Sequence, residues 1–343
     1  MATLELRGIK KHYGNIHAVD GVDLAIAEGE FLAILGPSGC GKSTLMRMIA
    51  GLEMPSAGEV LIGGQPVTHL PPRARNVSMV FQSYALYPHM VVAENIAFPL
   101  KARRVPRAER EAKVKWASAL LGIEPLLKRR PARLSGGEKQ KVALARALVR
   151  DPTLFIFDEP LSSLDAQVRA MARSELRQLH ERTGITTVYV THDQLEALSM
   201  GDRIAIMKSG RVRQVGTPQQ LYDQPADTFV AAFLGTPPMN LLERDGRIVG
   251  FRPEYLRPVL SAAPGADALR LAVHIIELEF LGAEWQVYGQ LENGAKPQKL
   301  IAKAAPAVAT GLRVGETREF AVERTHLRLF DPATGLRVNN GTR

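Results

Sequence analysis

The chain has 343 residues, 45% hydrophobic and 23% charged, which suits a globular protein with a sizeable core and room for two domains. No window approaches the roughly 18–20 uninterrupted apolar residues of a membrane helix, and Met1-Ala2-Thr3-Leu4-Glu5 is no signal-peptide start. The net charge of +9 is concentrated between Lys101 and Arg150, where the positive residues are scattered rather than interleaved with a series of stacking aromatics, so a solvated helical face is expected there and no nucleic-acid partner; the single Cys40 excludes an intrachain disulfide and suits the cytoplasm.

In chain order, Leu4–Leu6 and Gly58–Ile62 are expected as strands of a small antiparallel layer. Phe31–Leu35 is a short apolar run followed by a glycine-rich turn. A helix then runs from Lys42 to about Gly51, with Leu45, Met48 and Ile49 as its apolar stripe and Gly51 as its C-cap. Residues 83–150 read as an inserted helical subdomain punctuated by Pro106, Pro125 and Pro131. Leu154–Phe157 reads as a buried strand. Val168, Ala172, Leu176 and Leu179 mark one face of a helix ending near Gly184, and Thr186–Val190 is a β-branched strand. Buried strands alternating with helices imply a parallel sheet covered on both faces.

Beyond Gly235-Thr236-Pro237-Pro238 the texture changes. Strand-like runs are expected at 247–251, 269–280, 285–291, 299–303, 318–322 and 326–330. Apolar positions are odd-numbered through Ile275 and even-numbered from Ile276, a phase change that predicts a bulge. Short bent strands without intervening helices suggest a small barrel of the OB type.

The chemistry starts at Gly36-Pro37-Ser38-Gly39-Cys40-Gly41-Lys42-Ser43, which fits G-x-x-x-x-G-K-[ST] after a strand and before a helix. Glycines let backbone N–H groups turn inward on phosphates, and the helix N-terminus adds positive potential. Lys42 is expected on the β- and γ-phosphates of ATP and the Ser43 hydroxyl on Mg²⁺; Thr44 completes the ATP-binding segment. Cys40 lies within the loop, where a helix start is expected to lower a thiol pKa. Asp158, delivered by the apolar strand, is expected on the metal, and Glu159 to accept a proton from the attacking water. Ser135, Gly136 and Gly137 open a further helix and form a second anion-binding start. The fold class is therefore α/β: a P-loop NTPase core (1–235, helical subdomain about 83–150) plus a C-terminal all-β, OB-like domain (236–343).

These motifs, in this order, resemble the nucleotide-binding subunits of ABC transporters over about the first 235 residues. The resemblance implies that Tyr13, in Lys11-His12-Tyr13-Gly14, stacks on adenine, and that Gln82 touches Mg²⁺ and the transmembrane partner. It implies that Ser135–Gly137 close over the γ-phosphate of ATP bound to the opposite subunit. Asp165, in Ser163-Leu164-Asp165, would line the dimer interface and the nucleotide; His192 would contact the γ-phosphate and order the attacking water. Glu138 replaces the commoner glutamine of the signature, and Lys141 stands where arginine is frequent. The last hundred or so residues resemble the regulatory OB-type (TOBE-type) extension of sugar-importer ATPases of the maltose and glycerol-3-phosphate class. Gly235–Leu242, Gly250–Glu254 and Leu329–Gly335 carry that likeness. Related importers of polyamines or ferric iron share parts of it, and ABC-type ATPases acting on ribosomes or DNA are a remoter alternative. The implied partners are a second copy in a head-to-tail dimer, two transmembrane permease subunits and, indirectly, a solute-binding protein. The implied location is peripheral, on the cytoplasmic face of the inner or plasma membrane.

Overall fold

The computed structural model describes residues 2–259, 265, 267–291 and 297–338. The chain forms two compact units, Met1–Pro218 and Gln219–Arg343. In the first, β1 (Leu4–Tyr13) and β2 (Ile16–Ile26) make a long hairpin, and β3 (Phe31–Leu35) leads into α1 (Lys42–Ala50). Then come β4 (Ala57–Ile62), β5 (Gln65–Pro66) and β6 (Val77–Val80), followed by α2 (Val92–Ala102), α3 (Arg107–Leu121) and α4 (Gly136–Leu148). The unit closes with β7 (Leu154–Asp158), α5 (Ala166–Thr183), β8 (Thr186–Thr191), α6 (Gln194–Met200), β9 (Arg203–Lys208) and β10 (Arg211–Gly216).

The main sheet has the order β10-β9-β3-β8-β7-β6, with only β10 antiparallel to its neighbour. Its strands alternate between two cores. Phe31, Phe155, Phe157 and Tyr189 face the helices of the inserted subdomain and α5. Leu32, Ile34, Ile156, Val188 and Val190 pack with α1 and the antiparallel sheet β2-β1-β4-β5. Both faces are covered, which is why these strands read as unbroken apolar runs. Only the first residues of β1, Leu4–Leu6, are expected as strand from the sequence, and β2 is not. Register shifts after Leu6, Ile9 and Lys11 break the two-residue alternation that marks a strand.

α1 is held at its C-terminus. Gly51 caps it in the left-handed conformation, with φ 75. Buried Arg75 donates to the carbonyls of Met48 (2.7 Å) and Ile49 (2.9 Å), placing a cation at the negative helix end.

The second unit contains α7 (Pro218–Asp223), which spans the division, then α8 (Thr228–Phe233), β11 (Asn240–Arg244), β12 (Arg247–Phe251), β13 (Arg257–Pro258) and β14 (Leu269–Phe280). After these come β15 (Trp285–Leu291), β16 (Gln298–Ala304), α9 (Pro306–Ala309), β17 (Thr317–Val322), β18 (Arg328–Phe330) and β19 (Arg337–Val338). Two antiparallel sheets, β13-β17-β14-β15-β16 and β11-β12-β18-β19, share one core of Leu242, Val249, Phe251, Val273, Val287 and Phe320 among others. The bulge expected after Ile275 is present as a register shift between Ile275 and Glu277. The strand expected from His326 starts only at Arg328, because Arg324–His326 form a 3-10 turn.

The division falls at Pro218/Gln219, not at the change of texture near 235. α7 and α8 belong with the β unit because buried Arg252 needs their carbonyls. It donates to Tyr222 O (2.7 Å), Ala231 O (3.1 Å) and Leu234 O, and lies over the Tyr222 ring at 3.9 Å. A buried guanidinium is tolerated only with its donors satisfied. Parts of the 236–343 segment, residues 260–264, 266, 292–296 and 339–343, lie outside the described residues.

Candidate active site

β3 delivers the loop 36–41 to the C-terminal edge of the parallel sheet, where open α/β sheets bind ligands. Gly41 precedes α1 with φ 104, and a Cβ there would lie 2.2 Å from Ala18 O. Only glycine fits that close approach to β2. No side chain caps the α1 N-terminus and no acid occupies its first turn, so its amides and dipole are open to an anion. Buried Lys42 bends its ammonium back onto the loop, 2.8 Å from Gly36 O and 3.0 Å from Pro37 O. Ser43 is exposed beside it.

Cys40 does not behave as its position suggested. It is buried, and burial pushes its thiol up despite the nearby Lys42. Desolvation outweighs the helix start because the thiol points into the core, with Leu45 and Ile49 in the same apolar cluster.

β7 ends at Asp158, in parallel register with Val190 of β8. Burial, then the neighbouring Glu159 carboxylate, pushes Asp158 above the usual carboxylate range, against Arg47 and Lys42. A half-buried carboxylate beside a second carboxylate is a place where a hard cation relieves charge. The Asp158 carboxylate, the Ser43 hydroxyl and the Gln82 amide oxygen could supply only oxygen donors to such an ion, a set that suits magnesium. Gln82 leaves β6 two residues after Val80, which pairs with Phe157, so it emerges at the same sheet edge.

Glu159 adopts φ 45, a left-handed backbone that costs a non-glycine residue about 1–3 kcal/mol. Its N–H donates to Val190 O at 2.9 Å, which holds it there. Its Oε2 lies 3.0 Å from His192 Nδ1. β7 and β8 therefore bring together two residues 33 positions apart (192 − 159). Beneath His192, buried Glu196 accepts from the Tyr189 and Thr191 hydroxyls, both at 2.7 Å, and Thr191 Oγ1 accepts from Asp193 N at 3.0 Å. Burial pushes Glu196 up. This support for the His192 turn is missed by sequence reading; its signal was an acid four residues after His192, on the buried face of a short helix.

Ser135 caps α4, accepting from Glu138 N at 3.2 Å, while Glu138 Oε2 accepts from Ser135 N at 2.7 Å. The Glu138 departure thus forms a full capping box. A Cβ on Gly136 would lie 2.8 Å from Leu164 Cδ2, so the signature packs closely on the segment carrying Asp165. Asp165 itself caps α5, accepting from Val168 N at 3.0 Å. Tyr84 OH and Ser163 Oγ are 2.9 Å apart. Tyr84 and Ala85 both have positive φ, 58 and 45, and Arg146 of α4 donates to their carbonyls at 2.6 and 2.7 Å. Arg146 thereby ties the signature helix to the turn after Gln82, a contact that no local pattern foretells. Tyr13 stands half-exposed at the hairpin tip, its ring 5.0 Å from the Lys11 ammonium. Beside the segment after Gln82, α2 and α3 flank an open groove of about 1070 Å³ with an apolar floor of Met90, Ala97, Phe98, Val114 and Leu127 and a charged lining that includes Glu94, Lys101, Arg107, Arg110, Glu111 and Lys115.

A parallel sheet with a glycine-rich loop, a buried lysine and an acid pair at its C-terminal edge defines a P-loop nucleoside-triphosphate-binding protein. Residues 19–162 match the model of the ABC transporter family and residues 249–330 that of the TOBE domain. The chain is 44% identical to the sn-glycerol-3-phosphate import ATP-binding protein UgpC of Paracoccus denitrificans, across 98% of this chain and 99% of that one. It is 45% identical to the protein of the same name from Burkholderia thailandensis, across 98% and 100%. Among solved structures it is similar to the dimeric, ADP- and Pi-bound cassette MJ0796, with 33% identity and TM-score 0.55 over 63% of this chain and 98% of that one. It is also similar to cbiO1 from Clostridium perfringens, with 31% identity and TM-score 0.60 over 64% and 89%. The chain belongs to the ABC transporter ATP-binding family, and is an ATP-binding, ATP-hydrolysing subunit with a TOBE domain.

Proposed function

We propose that the chain energises import of sn-glycerol-3-phosphate or a related sugar-like phosphate. Two copies would clamp two ATP molecules head to tail on the cytoplasmic face of the membrane, beneath two permease subunits served by a solute-binding protein. The names of its relatives support the cargo; the dimeric solved cassette supports the pairing. No described helix is long and apolar enough to cross a membrane. The groove beside α2 and α3, apolar with charged residues along it, suits an amphipathic permease segment that reads the state of the Gln82 turn.

The observation that carries the catalytic reading is the Glu159–His192 contact of 3.0 Å at the edge where Lys42 sits. Gly36–Thr44 would wrap the phosphates of ATP, with Lys42 released from its loop carbonyls onto the β- and γ-oxygens, and Tyr13 would stack on adenine. Ser43, Gln82 and Asp158 would hold Mg²⁺. A magnesium ion held there would supply positive charge against the phosphates. Glu159 takes a proton from the attacking water, and His192 orients that water and fixes the carboxylate. Ser135, Gly136 and Gly137 of the opposite copy close over the γ-phosphate, beside Asp165. In Glu159→Gln, ATP still binds, and steady-state hydrolysis falls about 10²–10⁴-fold, the usual contribution of a general base. Near-normal turnover in that variant would remove Glu159 from the role.

A further inference from the structure

The tip of the β1–β2 hairpin carries a cluster that nucleotide hydrolysis does not use. His12 and His17 face each other as cross-strand partners. Their rings are 4.1 Å apart between centroids and tilted by 45°. Asp20 follows on β2, and one ligand atom from each of the three residues lies within 4.8 Å of the others. Nε2 of His12 is buried and has no hydrogen-bond partner, an unfavourable state for an imidazole nitrogen. Arg211 puts both of its hydrogen bonds, 3.0 and 2.6 Å, on the same carboxylate oxygen of Asp20, Oδ2.

We propose that His12, His17 and Asp20 form a binding site for one divalent transition-metal ion of the zinc class, with solvent completing the coordination. Two imidazoles and one carboxylate suit zinc, and they discriminate against magnesium and calcium, which take oxygen donors. The ligand atoms must close from their present spacing, since zinc lies about 2.0–2.2 Å from each imidazole nitrogen or carboxylate oxygen. His17 is exposed at the hairpin tip, whereas the Nε2 of His12 is buried without a hydrogen-bond partner. The ion would staple β1 to β2 one residue before Tyr13. It would also bracket Ala18, whose carbonyl abuts Gly41 of the phosphate loop.

The test is calorimetric titration of the nucleotide-free full chain with Zn²⁺, repeated with Co²⁺ while the visible ligand-field bands are recorded. The wild type should show one saturable site. His17→Ala and His12→Gln should each weaken it by about ten-fold or more, at least the cost of disturbing a metal's outer shell, and should lose the Co²⁺ bands. His192→Ala, which removes the other histidine–carboxylate pair, should bind as the wild type does. Thermal unfolding of each variant without metal establishes that it is folded; His17→Ala, at an exposed position, keeps the test open if His12→Gln is not. The proposal is overturned by the absence of saturable binding to the wild type. It is equally overturned by wild-type affinity in a folded histidine variant at position 12 or 17, or by loss of the site in His192→Ala instead.

Discussion

The two glycine-flanked helix starts of the ATPase unit are built on opposite plans. α1 begins at Gly41 with no side-chain cap and no acid in its first turn, and a buried lysine is its first residue. α4 begins at Ser135 with a complete capping box, and Glu138 already complements its dipole. α1 forgoes a cap worth about 1 kcal/mol; it is held instead by its buried stripe and by Gly51 and Arg75 at its far end. Its amides are left for a ligand. α4 is capped by its own side chains and presents one hydroxyl and two glycines at its start. An anchoring site and a closing surface are different devices, and a composite dimer site would need one of each.

The strongest way to break this comparison is to disable the two starts in different chains. Lys42→Ala removes the cation of α1, and Ser135→Arg blocks the surface of α4; each homodimer should be nearly inactive. Mixed heterodimers regain one complete site and should recover part of the ATPase activity. Confirmed heterodimers without activity would mean that both starts do not meet across a dimer. The same variants separate binding from closure: Lys42→Ala should lose about 10–100-fold in nucleotide affinity, the worth of charge-assisted hydrogen bonds, whereas Ser135→Ala should bind ATP almost normally in equilibrium titration.

A smaller effect tests the cap itself. Glu138→Ala opens the capping box and should cost about 1 kcal/mol in chemical denaturation, while Glu138→Gln, which can still accept from Ser135 N, should recover most of it. Equal losses in both would show that charge, not the cap, holds the α4 start. The smallest effect concerns how closed the α1 loop is. Burial raises the Cys40 thiol, so thiolate is scarcer at a given pH than for an exposed cysteine of pKa about 8.5. Alkylation should be slow near neutrality, speed up as pH rises beyond that value, and be slowed further by MgATP. Fast labelling at pH 7 would place the thiol outside the core.

Much of this site was legible in the linear chain, because its chemistry is local in sequence. The glycine spacing of 36–41, Lys42 and Ser43 at a helix start, the acid pair after an apolar strand and the Ser135–Gly137 turn each lie within a few residues, and a strand or helix period marks the element that presents them. The odd-to-even switch after Ile275 likewise located a bulge, since side-chain direction in a strand has a period of two. What only the tertiary structure decided depends on residues distant in sequence. Adjacent strands β7 and β8 set Glu159 against His192. Arg146 clamps the strained turn at Tyr84 and Ala85 from another helix. Arg252 draws α7 and α8 into the C-terminal unit and moves the division to Pro218. Cys40 is raised rather than lowered, because desolvation is a property of what packs around a thiol and not of its place in a motif.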